Sequence, residues 1–362
     1  MTDMNLLKSE ERAIVSLRTL YHSFGYLPFK MSKFEEYDMY VRNKDFLVSD
    51  RIITFAGSDG KLLALKPDVT LSIIKNTARE SKGSVRLYYN ENVYRPAISG
   101  HYTEIMQTGI ENIGELDTAD ICEAVYLAAK SLERLSDSFV LDVSHMGLIS
   151  SLLSEISDSS ELHAAIFSAL ASKSVHELSR IADEFSIDAK WRALLESLID
   201  FRGNFADAVE LISSVASTDS VKSALAELAA IGDILRGAKF ESRVHLDFSA
   251  VGNINYYNGI VFSGYIEGLS DRILAGGEYS GLLSSMNCSG RAIGFAIYLD
   301  LLERLDSTGE PYDVDVLLVY SDETPIKKLF DVREQLTAEG KSVFAQKSAD
   351  VKVRYKDIVD IS

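Results

Sequence analysis

From Gly147 to about Gly237 the chain is rich in Ala, Leu, Ser and Glu, with helical periodicity and hardly a glycine or proline. This stretch constrains the fold more than any short motif, because the segments on both sides read as strands. Before it, 52–55 (IITF), 62–65 (LLAL) and 85–89 (VRLYY) are short apolar runs separated by Gly and Asp turns, as in a meander, with Ser58-Asp59-Gly60 as the first hairpin turn. Residues 105–113 and 138–143 add two more strands, and 244–248 and 260–266 resume the pattern afterwards. Helices are predicted over 5–24, where Leu6, Leu7, Ile14, Leu17, Leu20 and Tyr21 fall at helical spacing, over 118–136 opened by Thr118 or Asp117, and from 291 to about 305. Pro311 marks a boundary, and the tail reads strand (314–320), helix (about 325–338) with Gly340 as its stop, then strand (SVFAQ). The pattern predicts an antiparallel, strand-rich α+β domain over 1–310, interrupted by an all-helical insert at about 148–240, and a short β-α-β piece over 311–362.

Several function classes fall away on totals. The chain has 362 residues, enough for one large domain and a smaller one, with 46% hydrophobic and 25% charged residues. No run of about 18 or more apolar residues occurs, so no membrane span is expected, and MTDMNLLKSEERA has no apolar core of an export signal. A phosphate backbone needs a basic face; here 54 acidic residues against 37 basic ones give a net charge of −17, which argues against nucleic acid. Cys122 and Cys288 are too few and too far apart for a disulfide framework or zinc site, and are expected to be buried thiols in a reducing cytoplasm. The six histidines are scattered singly, so His145 or His245 reads as a packed or surface residue rather than a catalyst. There is no GxxxxGK[ST] loop, no GxGxxG after a strand and no HExxH. No cofactor and no metal is called for.

Four segments carry a resemblance. Residues 24–35 (FGYLPFKMSKFE) resemble the dimer-forming motif 1 of class II aminoacyl-tRNA synthetases, with Ser32 at the usual proline. Residues 65–70 (LKPDVT) resemble the L-R-P-E-G-T segment of histidyl-tRNA synthetases, 93–111 (VYRPAISGHYTEIMQTGIE) resemble motif 2, and 252–259 (GNINYYNG) resemble R-G-L-D-Y-Y-T-G. Behind them AGGEYSGL (275–282) is similar to A-G-G-R-Y-D-G-L, and RAIGFAIYLDLL (291–302) to motif 3. Each alone reads as turn chemistry or a glycine-rich loop; all in the family's order, around an insert in the family's place, resemble the histidyl-tRNA synthetases over about 5–305. The resemblance implies a class II synthetase-like antiparallel sheet with flanking helices, and the tail is similar to the first half of that family's anticodon-binding domain.

The departures bear on activity. Synthetase arginines clamp phosphate as charge develops on it, and losing one fixed donor of this kind typically costs about a hundred- to a thousandfold in rate. Here the R-G-L-D-Y-Y arginine falls on Gly252, the motif 3 arginine on Leu301, and Thr103 stands at an arginine of motif 2, where Arg95 is kept but Ala97 replaces a glutamate. The amino-acid side is retained. The resemblance implies that Asp68, Thr70, Gln107 and Glu111 hold the α-amino group of histidine, that Tyr256 and Tyr257 line the imidazole end, and that Arg95 is either a ligand clamp or a structural ion pair. The other reading of these residues is a polar network that supports its own sheet.

A synthetase body stripped of catalytic arginines is similar to the regulatory-subunit family of ATP phosphoribosyltransferase, which L-K-P-D-V-T and F-E-E-Y-D follow in detail. That resemblance implies a non-catalytic chain, a short-form ATP phosphoribosyltransferase catalytic subunit as partner, self-pairing through motif 1 within a hetero-octamer, and L-histidine as feedback ligand. In the self-paired dimer, Phe24, Tyr26 and Phe29 are expected to be buried between protomers. The alternatives are a working histidyl-tRNA synthetase and a histidine-binding scaffold for another partner.

Overall fold

The longest strands set the frame. Val85–Pro96 and Tyr102–Gly114 form one antiparallel hairpin, in register from Val85 opposite Ile113 to Pro96 opposite Tyr102. Tyr102–Glu104 is exposed, while Gln107–Ile113 is buried on both faces, so the strand runs from solvent into the middle of a sheet. In the computed structural model, which describes residues 7–44, 47, 51–77, 83–96, 101–216, 218–250, 256–305 and 312–362, the chain divides into two compact units, 1–304 and 305–362.

The first unit is built on a nine-stranded sheet. From one edge to the other its strands are Leu27–Pro28, Val85–Pro96, Tyr102–Gly114, Arg291–Tyr298, Leu274–Glu278, Ile260–Ile266, Phe139–His145, Val244–Asp247 and Arg202–Gly203. The sheet is mixed: Leu27–Pro28 with Val85–Pro96, and Phe139–His145 with Val244–Asp247, pair parallel. One face is covered by the helices Ser9–Ser23 and Thr118–Leu135, whose buried Leu17, Tyr21, Ile121, Val125 and Leu132 join the main core. Asp117 caps the second helix, accepting from the amides of Ala119 (2.8 Å) and Asp120 (3.2 Å), so the opening residue is the aspartate rather than Thr118.

Among the described residues the glycine-poor stretch forms six helices between Met146 and Gly237, five of them opened by the side chains of His145, Ser159, Ser174, Asp188 and Asn204. The departure from all-helix among its described residues is the two-residue strand Arg202–Gly203, which pairs with Val244–Asp247 at the sheet edge. In the second unit Val314–Val319 lies between Val343–Gln346 and Tyr355–Asp360, parallel to both, with the helix Ile326–Ala338 between the first two in sequence. Gly340, at φ +82°, ends that helix as expected.

Four expectations are corrected. The meander does not exist as such: Thr54–Ala56 and Leu62–Leu65 do form a hairpin about Ser58-Asp59-Gly60, but their third partner is Phe34–Glu36. Val85 opens a strand of the large sheet, and the helix Thr70–Thr77 lies between. Residues 291–298 are a strand and only Leu299–Arg304 is helical, as 3₁₀. Buried on both faces, RAIGFAIY loses the alternation that marks a half-exposed strand. Tyr26 is fully buried in its own protomer, its hydroxyl donating to Glu123 (3.2 Å), while Phe24 and Phe29 are half-buried, so Tyr26 is not available to a dimer face. Cys122 is buried but Cys288 only half-buried. Leu6, Ala97, Gly252 and Pro311 lie outside the described residues.

Candidate functional site

The face opposite the two covering helices holds a trough whose shape follows from register. The rows Glu111–Gly294–Gly277–Val261 and Gly109–Ala296–Ala275–Ser263 run straight across four strands. Cross-strand partners share a face, and glycine or alanine at most of these positions leaves depth where side chains would otherwise stand. The resulting cavity has a volume of about 540 Å³ and is bordered by Asp68, Thr70, Arg95, Gln107, Glu111, Tyr256 and Tyr257, all seven residues named from sequence. A Cβ on Gly294 would overlap Glu111 Oε2 and come within 2.5 Å of the Ile110 carbonyl, and one on Gly277 would meet the Tyr257 ring at 2.8 Å. The glycines thus make the room that the acid and the tyrosine occupy.

Glu111 is the centre of this arrangement. It is 2% exposed, accepts from Thr70 Oγ1 (2.9 Å) on one oxygen and from the Tyr279 hydroxyl on the other. Burial pushes its carboxyl up to about 8; the two hydroxyls pull it back down, and the Asp68 charge adds to the rise. Asp68 is buried as well and raised by that burial, with Arg95 opposing. Its Oδ1 accepts from the Leu71 amide (3.0 Å), so this carboxylate also holds the first turn of Thr70–Thr77. Arg95 donates Nε to the Pro67 carbonyl at 2.9 Å, which fixes it beside Asp68. Gln107 is 3% exposed and its Nε2 has no hydrogen-bond partner among the described residues.

Three tyrosines wall the cavity. The rings of Tyr256 and Tyr257 lie 4.7 Å apart at 70°, and Tyr256 lies 5.8 Å from Tyr279. All three phenols are raised, first by burial and then by neighbouring charge and phenol groups, so they serve as neutral donors. Tyr279 and Tyr298 were missed as site residues. The signal for Tyr279 was present in AGGEYSGL, which reads locally as a glycine-rich loop but folds as the strand Leu274–Glu278 running into the short helix Ser280–Ser285. Arg272, also missed, borders the cavity from the turn before that strand.

The positions of the lost arginines fit the same picture. Thr103 sits on the exposed hairpin opposite Arg95, and Leu301 is buried in the 3₁₀ turn. Among the described residues the cations bordering the trough are Arg95 and Arg272, against Asp68, Glu111, Asp142 and Asp247. Asp142 already pairs with Arg202 (3.0 Å) and Asp247 with Lys173 (3.0 Å). The trough is therefore suited to an ammonium or a ring N–H and poorly suited to a triphosphate.

His145 is packed, as its isolation in sequence suggests. Its Nδ1 accepts from the Leu148 amide (3.2 Å) to start the insert, and burial lowers it to about 4, so it stays neutral next to Glu227. Among the described residues no group of three or more His, Cys, Asp or Glu side chains gathers as a metal site requires, and no helix is long and apolar enough to cross a membrane.

A mixed sheet of this order with flanking helices and an acid-floored, tyrosine-walled trough is the fold of a class II aminoacyl-tRNA synthetase-like protein. The sequence model of the histidyl-tRNA synthetase family matches residues 5–302, and the chain belongs to that family. Within it the similarity runs to ATP phosphoribosyltransferase regulatory subunits. That of Clostridium acetobutylicum is 27% identical over 338 residues, covering 90% of this chain and 82% of its own length. A crystal structure described as an ATP phosphoribosyltransferase regulatory subunit/histidyl-tRNA synthetase from Bacillus halodurans C superposes with a TM-score of 0.80 at 24% identity, over 97% of this chain and 93% of that one. A chain of the ATP phosphoribosyl transferase complex from Thermotoga maritima gives 0.63 at 20% identity, over 80% and 97%. These two likenesses are likenesses of fold.

Proposed function

We propose that the chain acts as the non-catalytic regulatory subunit of ATP phosphoribosyltransferase in histidine biosynthesis, and that the trough is its histidine pocket. The observation that carries this reading is the asymmetry of the trough: a buried Glu111 held by two hydroxyls beside a buried Asp68, with only Arg95 and Arg272 as bordering cations among the described residues. An adenylate-forming site needs fixed positive charge at the phosphates. Thr103 and Leu301 supply none.

Asp68, Thr70, Gln107 and Glu111 hold the α-amino end and Tyr256 and Tyr257 the imidazole end, with Arg95 beside Asp68. The partner is a short-form catalytic subunit in the cytoplasm, met in a hetero-octamer in which regulatory chains also pair with each other. The hairpin and strand around motif 1 leave Leu27 (61%) and Phe34 (49%) exposed, which suits that pairing. Histidine regulates by favouring one arrangement of the assembly, and inhibits only if that arrangement binds it better than the active one does. The net charge of −17 speaks against tRNA as a second ligand.

The test is co-purification with a short-form catalytic subunit, together with calorimetry of histidine on the chain alone and in the complex. Co-elution with saturable histidine binding supports the reading. Failure of the two chains to associate, or histidine-dependent pyrophosphate–ATP exchange by this chain alone, contradicts it.

A further inference from the structure

We propose that Arg272 is the anion-holding residue of the trough and takes the carboxylate of the bound amino acid, a proposal that rests on reading the trough as a histidine pocket. A zwitterion needs partners for both ends. Asp68 and Glu111 answer the ammonium and Tyr256 and Tyr257 the ring, but a buried or half-buried carboxylate without a cation or a set of donors is costly.

Two arginines border the cavity among the described residues, and they differ in what they already face. Arg95 lies beside Asp68, close enough to favour its charged form, and spends Nε on the Pro67 carbonyl. Arg272 has no carboxylate partner among the described residues. Among the described residues its guanidinium donates from Nη1 to the Ser263 hydroxyl at 3.3 Å, while its chain neighbour Asp271 is taken by Arg304. Ser263 is itself on the trough floor, in the row with Ala275, Ala296 and Gly109, so the guanidinium is steered over the cavity rather than away from it. The Tyr257 phenol lies within electrostatic reach of both Glu111 and Arg272.

A second observation points to an acceptor in the same cavity. Gln107 Nε2 is buried without a partner among the described residues, and a buried donor left this way is stabilised by any ligand oxygen that reaches it. Gln107 stands opposite Tyr298, whose amide bonds the Ile273 carbonyl, the residue next to Arg272. A carboxylate reaching that end of the trough meets a guanidinium and an amide N–H together.

The experiment is calorimetry on the full chain with histidine and with histamine, which has the ring and the ammonium but no carboxylate. Wild type, Arg272→Ala, Arg272→Lys and Arg95→Ala are compared, with thermal melting as the check on folding; Arg272 is exposed and its removal should leave melting unchanged. Wild type should prefer histidine. Arg272→Ala should weaken histidine about tenfold while changing histamine less than about twofold, and Arg272→Lys should recover part of the loss. Equal losses for both ligands, no loss, or a preference that vanishes in Arg95→Ala instead would each overturn the assignment while leaving the histidine pocket standing. Wild type that binds neither ligand, alone or in the complex, removes the pocket reading and this assignment with it.

Discussion

Glu111→Gln should make the free protein more stable and a worse binder at once. The side chain lies on the floor of the trough at 2% exposure, its oxygens engaged by Thr70 and Tyr279. Burial lifts the carboxyl from an ordinary 4.5 to about 8. The unfolded chain gives up this proton near 4.5, and the folded chain keeps it to about 8. Between those values the folded state binds more protons, so stability falls as pH rises, by about 1.4 kcal/mol per unit. Below the unfolded value the group costs nothing; above about 8 the full penalty, on the order of 5 kcal/mol, is in place. Glutamine has the same shape without the charge, and either hydroxyl can turn to accept from its amide. Urea unfolding followed through Trp191, the only tryptophan, half-buried against the large unit's core, should show variant and wild type alike near pH 4.5, and the variant ahead by several kcal/mol near pH 8.5. Histidine binding near pH 8.5, where Glu111 is ionised, should move the other way, weakening by at least about thirtyfold, because a buried charge pair loses one partner. A variant no more stable than wild type near pH 8.5, or one that binds histidine equally well, would refute the reasoning.

Three further outcomes follow. Gly294→Ala puts a Cβ onto the Glu111 carboxylate and against the Ile110 carbonyl, so it should cost about 1–3 kcal/mol or more of stability and abolish histidine binding, read by melting and calorimetry. Lys66 is fully buried and pairs with Glu91, which also accepts from the Met31 amide; Lys66→Met should cost about 3–5 kcal/mol in urea unfolding, and a neutral result would show that Glu91 finds water instead. The chain alone should give no histidine-dependent pyrophosphate–ATP exchange above a no-protein control, since Leu301 and Thr103 hold no phosphate.

Much of the fold was legible because its elements are either half-exposed or strongly capped. The helix opened by Asp117 and the glycine-stopped tail helix show this, with cap and stop both present in sequence. What was misread is buried on both faces. RAIGFAIY packs between Tyr102–Gly114 and Leu274–Glu278, so every position from Ala292 to Ile297 is apolar or small and the period of two disappears. The third strand of the small unit, YKDIVD, was missed for the opposite reason: as an edge strand it carries Lys356, Asp357 and Asp360 outward and reads as loop. The trough residues were found by order and resemblance rather than by local chemistry. Glu111 shares no segment with Asp68 or Tyr257; the Thr70–Glu111 hydrogen bond and the packing of the Tyr257 ring against Gly277 bring them together. Tyr279 and Arg272 come from segments whose local pattern speaks of turns, so their place at the site emerges only from the three-dimensional arrangement.

The most direct test of the account is the phosphoribosyltransferase activity of a short-form catalytic subunit, measured near pH 8.5 with this chain, with its Glu111→Gln variant and without either, across a histidine titration. The account predicts that the wild-type chain raises activity and makes it inhibitable by histidine, and that the variant still assembles and activates but needs at least about thirtyfold more histidine for the same inhibition. Activity and inhibition that are indifferent to the presence of this chain would contradict it.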